Sequence, residues 1–154
     1  MPMMNLTYPE GTFTPEERED LAEKLTTALL RAERAPDTEF FRSITWVHLH
    51  ELPAGTVLAA GKPVEKPILR LEVTTPEGAL SERRRAEMVG AATEILCEAA
   101  AIPAEESLTR VWVLMHEIPE GQWGAGGEIV YFQRLKDLAQ TEREQEAPAE
   151  VVSG

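Results

Sequence analysis

The sequence predicts an α/β (α+β) fold, in which tandem β-α-β repeats form a four-stranded sheet with two helices on one face. The first observation behind it is an internal duplication: two blocks of the chain recur in the same order. Pro9-Glu10-Gly11 recurs as Pro76-Glu77-Gly78, and His50-Glu51-Leu52-Pro53-Ala54-Gly55 recurs as His116-Glu117-Ile118-Pro119-Glu120-Gly121. The second observation is that each copy changes from strand-like to helix-like patterning and back.

The duplication also sets the predicted domain boundaries. We place the two repeats at 2–62 and 67–128, inside a single domain that covers 1–133. Beyond it, the stretch 134–154 is acidic and rich in Ala and Pro. Such a composition favours a frayed helix followed by a disordered tail.

The first repeat contains all three elements. An apolar run from Met3 to Tyr8 predicts a strand that a Pro-Glu-Gly turn closes. Thr14 is then expected to cap a helix with Pro15 at its first position. A second strand is expected over Ile44–Leu52. The buried face of the helix is predicted by residues at helical spacing, which are Leu21, Leu25, Leu29 and Ala32.

The second repeat follows the same plan. We expect a strand over Ile68–Thr74, a helix capped by Ser81 and a strand over Val111–Ile118. The predicted core face of this helix consists of Met88, Ala92, Ile95 and Ala99. Because a strand-helix-strand unit within one sheet crosses over right-handedly, the two strands of each repeat should be parallel.

One face of this predicted sheet has no helix to cover it. The strand that begins at Ile44 is nevertheless apolar on both sides, with Val47 and Leu49 on one side and Ile44 and Trp46 on the other. The uncovered face should therefore be buried against other subunits. This pattern predicts a symmetric homo-oligomer.

Composition excludes several other classes of function. The 154 residues carry a net charge of −12, which disfavours nucleic acid and anionic membrane surfaces as partners. No apolar run approaches the roughly 20 residues that span a bilayer, and no secretory signal pattern is present, so we expect a cytoplasmic protein. The single cysteine, Cys97, lies between Glu94 and Glu98, off the apolar helix face, and is expected to be an inert thiol.

The chain begins Met1-Pro2 and enters a strand directly. Removal of Met1 would leave Pro2 with a secondary amine, which has a basic lone pair, whereas an amide nitrogen has none. Pro2 is therefore a candidate general base. On the Met-Pro start alone, an incidental second residue is the better interpretation, and the rest of the chain has to change that balance.

A proline amine on the first strand of a duplicated β-α-β unit resembles the tautomerase superfamily, which has the tautomerase/MIF-like fold. The run Trp123-Gly124-Ala125-Gly126-Gly127-Glu128 resembles the aromatic-Gly-x-Gly-Gly-Glu ending of 4-oxalocrotonate tautomerase. The double-length layout, with Thr14-Pro15 and Pro53-Ala54-Gly55, is similar to the cis-3-chloroacrylic acid dehalogenase and malonate semialdehyde decarboxylase families. The similarity covers about Pro2 to Glu128.

The resemblance implies a homotrimer that needs no cofactor and acts on a small enol or α-keto compound. Pro2 would lie at the floor of an apolar pocket as the acid/base, and Trp123 would form the wall beside it. Glu39 falls near the acidic residue that orients water in the decarboxylase family. Arg42 and Arg110, each just before the second strand of a repeat, are the candidates for binding one carboxylate or a carbonyl oxygen.

Departures from the family patterns narrow this expectation. Thr12, Thr75 and Glu77 stand where relatives carry carboxylate-binding arginines, which disfavours a dicarboxylate substrate. The histidine, tyrosine and glutamate of the dehalogenase family are replaced by Leu29, Leu114 and Ala125, which disfavours dehalogenation.

Three alternatives to a tautomerase remain open. The same proline could serve a decarboxylase or hydratase, or the chain could be a non-catalytic oligomeric scaffold. A metal site is the third, because His48 and His50 project to one face and His116 is the repeat equivalent of His50. Since duplication alone explains that equivalence, we predict no metal.

Overall fold

The computed structural model describes the backbone of residues 1–152 and the side chains of residues 1–147. The chain forms thirteen helices and strands and, in addition, one 3-10 turn over Ala104–Glu106. In chain order these are β1 (Met3–Pro9), α1 (Pro15–Glu33), α2 (Glu39–Ser43), β2 (Trp46–Leu52), β3 (Leu58–Ala59), β4 (Lys62–Pro63), β5 (Leu69–Pro76), α3 (Glu82–Ala99), α4 (Ser107–Arg110), β6 (Val111–Ile118), β7 (Gly124–Ala125), β8 (Glu128–Ile129) and α5 (Phe132–Val152).

The main sheet has four strands in the order β2-β1-β5-β6. Strands β1 and β2 are parallel, as are β5 and β6, so each repeat has the predicted crossover. The repeats join through an antiparallel pairing of β1 with β5, in which Met3 lies opposite Thr74. The fold class predicted from the sequence is confirmed. The structure adds two short hairpins, β3–β4 and β7–β8.

The core lies between the sheet and the two long helices. Alternate residues of β1 point into it, and Met4 and Leu6 are fully buried. Helix α1 contributes the predicted face, while α3 buries Met88, Ala92 and Leu96. Each such side chain contributes about 1.5–3 kcal/mol through burial. Cys97, expected off the apolar face, packs against this core at partial exposure, because the fully buried position after Ala92 is Leu96 and not the predicted Ile95.

The duplication extends to individual contacts. Thr14 and Ser81 both cap their helices through the predicted side-chain oxygen, and Thr14 forms a reciprocal capping box with Glu17. Equivalent contacts recur elsewhere at matching positions. The ion pair of Arg18 with Glu51, at 2.7 Å, corresponds to that of Arg85 with Glu117, at 3.4 Å. The Glu10 carboxylate accepts a hydrogen bond of 3.1 Å from the Ala54 N–H, and the Glu77 carboxylate accepts the equivalent bond of 3.0 Å from the Glu120 N–H.

The C-terminal segment differs from the prediction. Where a frayed helix followed by a disordered tail was expected over 134–154, helix α5 begins at Phe132 and continues to Val152. Leu135 and Ala139 are only 7% and 9% exposed, so the first half of α5 packs on the domain instead of fraying from it. Burial of this apolar stripe stabilises a helix whose composition alone favours solvent. The part of the prediction that concerns Ser153 and Gly154 lies outside the described residues.

The second face of the sheet is uncovered within one chain. Trp46 is 57% exposed and Trp112 is 60% exposed, on the two edge strands β2 and β6. Each indole N–H donates to a carbonyl of the preceding short helix, that of Ser43 at 3.2 Å and that of Leu108 at 3.1 Å. This face therefore carries fixed, exposed aromatic side chains. Across the described part of the chain, none of the helices is long and apolar enough to cross a membrane.

Candidate active site

The N-terminal residues are held at the start of the central strand β1. Pro2 is buried, and its carbonyl oxygen accepts a hydrogen bond of 3.2 Å from the Trp46 N–H, which extends the β1–β2 pairing by one residue. Met1 is partly buried in front of Pro2. The strand pairing thus fixes the position of the chain's first two residues relative to the sheet.

Met1 lines a cavity of about 360 Å³ that lies between the end of α1, the end of β5 and helix α5. Its walls are apolar, and they include Phe41, Pro76, Phe132 and Leu135. Its polar lining consists of Glu33, Arg34, Lys136, Gln140 and Arg143. The amino group of the chain therefore faces an apolar space with a charged edge.

Met1 and Leu135 also line a second cavity, of about 460 Å³. Part of its wall is the β7–β8 hairpin, whose turn residues Gly126 and Gly127 have φ of 62° and 83°. Two successive residues with positive φ define the tight turn that joins these strands, so the glycines serve hairpin geometry. Met1 and Leu135 are thus shared by the linings of both cavities.

Burial shifts the pKa values of two groups at the first cavity in opposite directions. It lowers the pKa of the Met1 amino group, and the nearby Glu33 carboxylate partly offsets that effect. Burial likewise raises the pKa of Glu33 to about 7, which the positive amino group partly offsets. An amine with a lowered pKa and a carboxyl with a raised pKa are groups that can exchange protons with a bound substrate.

Glu33 is a functional candidate that the sequence did not predict. One local signal was available: Glu33 is the last residue of α1, where the helix dipole disfavours negative charge. A carboxylate at that position is more plausible when a cation or a proton compensates it. The cation that compensates Glu33 is the amino group of Met1, which lies 32 residues earlier in the chain. No local sequence pattern connects the two residues.

Trp123 and Glu39 lie near this region but not in the cavity walls. Trp123 is partly buried just before β7, and its carbonyl accepts from the Val130 N–H at 2.8 Å. Glu39 is exposed in the first turn of α2, where Thr38 is the cap. Its neighbours Phe40 and Phe41 are the residues of α2 that line the two cavities.

Arg42 is engaged by acidic side chains on the outside of the domain. Its guanidinium lies 2.5 Å from Asp37 and 2.9 Å from Glu23, and it donates to the Thr27 hydroxyl at 3.0 Å. The hydrogen bond from Arg42 lowers the pKa of Asp37. Within one chain, the donors of Arg42 are therefore occupied by Asp37, Glu23 and Thr27, and Arg42 is not in the lining of either cavity at Met1.

Arg110 lies at the opposite end of the sheet. It donates to the Pro67 carbonyl at 2.9 Å and pairs with Glu106 at 2.7 Å. Strand β6 begins immediately after it, opposite Leu69. Six residues of β1 separate that end from Pro2, or roughly 20 Å at the rise of a strand. One chain does not bring Arg110 to Pro2.

The three histidines do not converge. His50 contacts the Asn5 side chain at 3.0 Å, and His116 contacts Glu72 at 3.5 Å. They lie on β2 and β6, which the two central strands separate. Within the residues that the structure describes, no group of three or more His, Cys, Asp or Glu side chains could hold a metal ion.

Comparison with known proteins finds similarity at the level of structure. No family model matches the chain, and no curated protein matches it. Among solved structures, Pt0534 inactivated by 2-oxo-3-pentynoate is 28% identical, with a TM-score of 0.69 over 82% of this chain and 94% of that chain. N1, a member of the cis-3-chloroacrylic acid dehalogenase family, is 19% identical, with a TM-score of 0.71 over 95% and 99%. The F6 fused 4-OT wild-type asymmetric trimer is 21% identical, with a TM-score of 0.69 over 82% and 94%.

The strand order, the duplicated β-α-β unit and these similarities define a tautomerase superfamily fold, as the sequence resemblance predicted. Within that superfamily the chain is similar to 4-OT-like proteins of double length, which include fused 4-OT and a member of the cis-3-chloroacrylic acid dehalogenase family.

Proposed function

We propose that the protein is a cofactor-independent tautomerase that interconverts the enol and keto forms of a small substrate. The acid/base is the secondary amine of Pro2, which becomes the first residue when Met1 is removed. The observation that supports this most strongly is the position of Pro2, which is buried directly behind Met1, a residue that lines an apolar cavity and whose own amino group has a pKa that burial lowers. The same burial would lower the pKa of a Pro2 amine, and an amine with a lowered pKa accepts a proton more readily at neutral pH than one that is already protonated.

The proposed reaction needs one proton acceptor that also returns the proton. The amine of Pro2 takes the proton from the enol hydroxyl or from the carbon beside the carbonyl, and the resulting ammonium donates it to the other position. The β1–β2 pairing at Trp46 holds the proline in place during both transfers. Similarity to Pt0534, which 2-oxo-3-pentynoate inactivates, supports this proposal, because a ketone-conjugated alkyne accepts nucleophilic amines.

The functions predicted for Trp123, Glu39, Arg42 and Arg110 stay predictions. In a single chain, Trp123 and Glu39 lie beside residues of the cavity walls. Arg42 and Arg110 are paired with carboxylates away from Met1. For Arg110, contact with substrate requires the Pro2 site of another subunit.

We infer that the protein is a homotrimer. The exposed aromatic side chains of Trp46 and Trp112 on the uncovered sheet face support this arrangement, as does the similarity to fused 4-OT trimers. Burial of two such indoles in each chain would supply a large part of the association free energy.

Ketonisation of phenylenolpyruvate tests the proposed chemistry. We expect turnover by the wild-type protein and a loss of at least about a hundredfold in kcat/KM for Pro2→Ala, the usual size of a general acid/base contribution. Pro67→Ala is the control, because it removes a proline that lines neither of the two cavities at the start of the chain. Equal activity of Pro2→Ala and wild type would rule out the proline mechanism.

A further inference from the structure

The cavity at the chain's amino group has a charge pattern opposite to that of the whole protein. Its lining includes three cationic side chains, Arg34, Lys136 and Arg143, and a single carboxyl, Glu33. The whole sequence carries 15 Lys and Arg against 27 Asp and Glu. A local excess of cations in an acidic protein indicates an anionic ligand at this edge.

These cations are not neutralised by carboxylates of the described residues. Lys136 is exposed, and its ammonium lies 5.0 Å from the centre of the Phe132 ring, a wall of the same cavity. The guanidinium of Arg143 donates to the main-chain carbonyl of Arg34, which leaves further N–H donors on that group. In the described part of the chain, neither side chain forms an ion pair, whereas Arg42 and Arg110 both do.

The wall behind this edge is apolar, with Phe41, Phe132 and Leu135 around Met1. A ligand that fits both parts has one anionic end and an apolar body. Arg42 and Arg110, the other candidates for binding a carboxylate, are already engaged by acidic side chains. The carboxylate of a substrate must therefore be bound by other residues, if the substrate has one.

We propose that Lys136 and Arg143 of helix α5, together with Arg34 at the end of α1, bind the carboxylate of a small α-keto or enol acid whose apolar body lies in the cavity. This inference rests on the proposed tautomerase function and specifies its substrate class. Helix α5 is thereby part of the active site. A flat carboxylate between an ammonium and a guanidinium receives charge-assisted hydrogen bonds from both.

Titration calorimetry with phenylpyruvate on the full chain tests this proposal. We expect Lys136→Gln and Arg143→Gln each to weaken binding about tenfold, the low end for a hydrogen bond to a charged group. Arg143→Lys should recover most of the affinity, because it keeps the cation. Arg31→Gln removes the same charge from the exposed surface of α1 outside this cavity and should leave the dissociation constant within about twofold. The neutral methyl ester should bind all variants equally.

Three results would overturn the proposal: no binding of phenylpyruvate by wild type, equal binding by wild type and the two Gln variants, or equal weakening in Arg31→Gln. Lys136 is exposed, so its variant tests charge without loss of the fold. The same titration on Pro2→Ala separates this inference from the proposed function, because it measures binding of phenylpyruvate in a protein that lacks the proposed acid/base. Charge-dependent binding in a protein without proline-dependent turnover would contradict only the catalytic function of Pro2.

Discussion

The guanidinium of Arg143 donates a hydrogen bond to the main-chain carbonyl of Arg34, which joins helix α5 to the left-handed residue that ends helix α1. The contact spans 109 residues of sequence and lies at the edge of the cavity that contains Met1. Together with the buried side chains of Leu135 and Ala139, it holds the last helix over the first residue of the chain. The C-terminal segment is thus a wall of the candidate site.

If α5 packs as described, shortening Leu135 will destabilise the protein. Leu135→Ala removes a side chain that is 7% exposed, and we expect a loss of about 2 kcal/mol in the free energy of unfolding, the low end for a buried leucine. Urea unfolding monitored by circular dichroism measures it. Leu108→Ala, at a site that is 84% exposed, should change the free energy by less than about 0.5 kcal/mol. Equal stability of the two variants would argue against the docked helix.

The raised pKa of Glu33 predicts a specific dependence of stability on pH. Because burial raises the pKa of Glu33 from 4.5 to about 7, the folded state holds this proton more tightly than the unfolded state. The contribution is fully present below pH 4.5 and is lost as the pH rises through 7. Glu33→Gln should therefore lose less stability than wild type between pH 5 and 8, by about 1–3 kcal/mol after allowance for partial exposure.

Thermal unfolding at a series of pH values makes this comparison. Glu19→Gln, an exposed change on the same helix, is the control and should follow the wild-type curve. The amino group contributes with the opposite sign, because its pKa is lowered, and loss of the Glu33 carboxylate lowers that pKa further, which changes the Glu33→Gln curve in the same direction. Parallel curves for wild type and Glu33→Gln would show that Glu33 is ionised in the folded protein throughout this range.

A carboxylate on the uncovered sheet face should dissociate the proposed trimer. Trp112→Glu places a charge at a position that is 60% exposed in one chain and would be buried between subunits, where an unpaired charge is costly. Sedimentation or light scattering should show three chain masses for wild type and one for the variant. Ala86→Glu adds the same charge on the exposed side of α3, away from this face, and should remain trimeric. A monomeric wild type would contradict the trimer.

The sheet and its two long helices could be predicted because their signals are local and occur twice. Thr14 and Ser81 stand at helix caps, and the turn sequences recur in both copies. Strand β6 has the predicted bounds, Val111–Ile118. Strand β2 begins two residues after its predicted start, because Thr38 caps a short helix that occupies Glu39–Ser43.

The candidate site was less accessible to sequence reasoning, because it is assembled from distant segments. Met1, Glu33, Pro76 and Arg143 meet only after the sheet pairs and α5 docks. Helix α5 carries few apolar residues among many charges, so its composition indicated a tail. Its packing depends on a surface that the rest of the fold provides.

Inactivation by 2-oxo-3-pentynoate, followed by intact-mass and peptide analysis, tests the central claim most directly. The account predicts a wild-type protein that lacks Met1, gains the mass of one inhibitor molecule on the Pro2 nitrogen and loses its ketonisation activity in proportion to labelling. Phenylpyruvate should slow the labelling. A chain that retains Met1, or one that loses activity while Pro2 remains unlabelled, would contradict the proline amine as the acid/base.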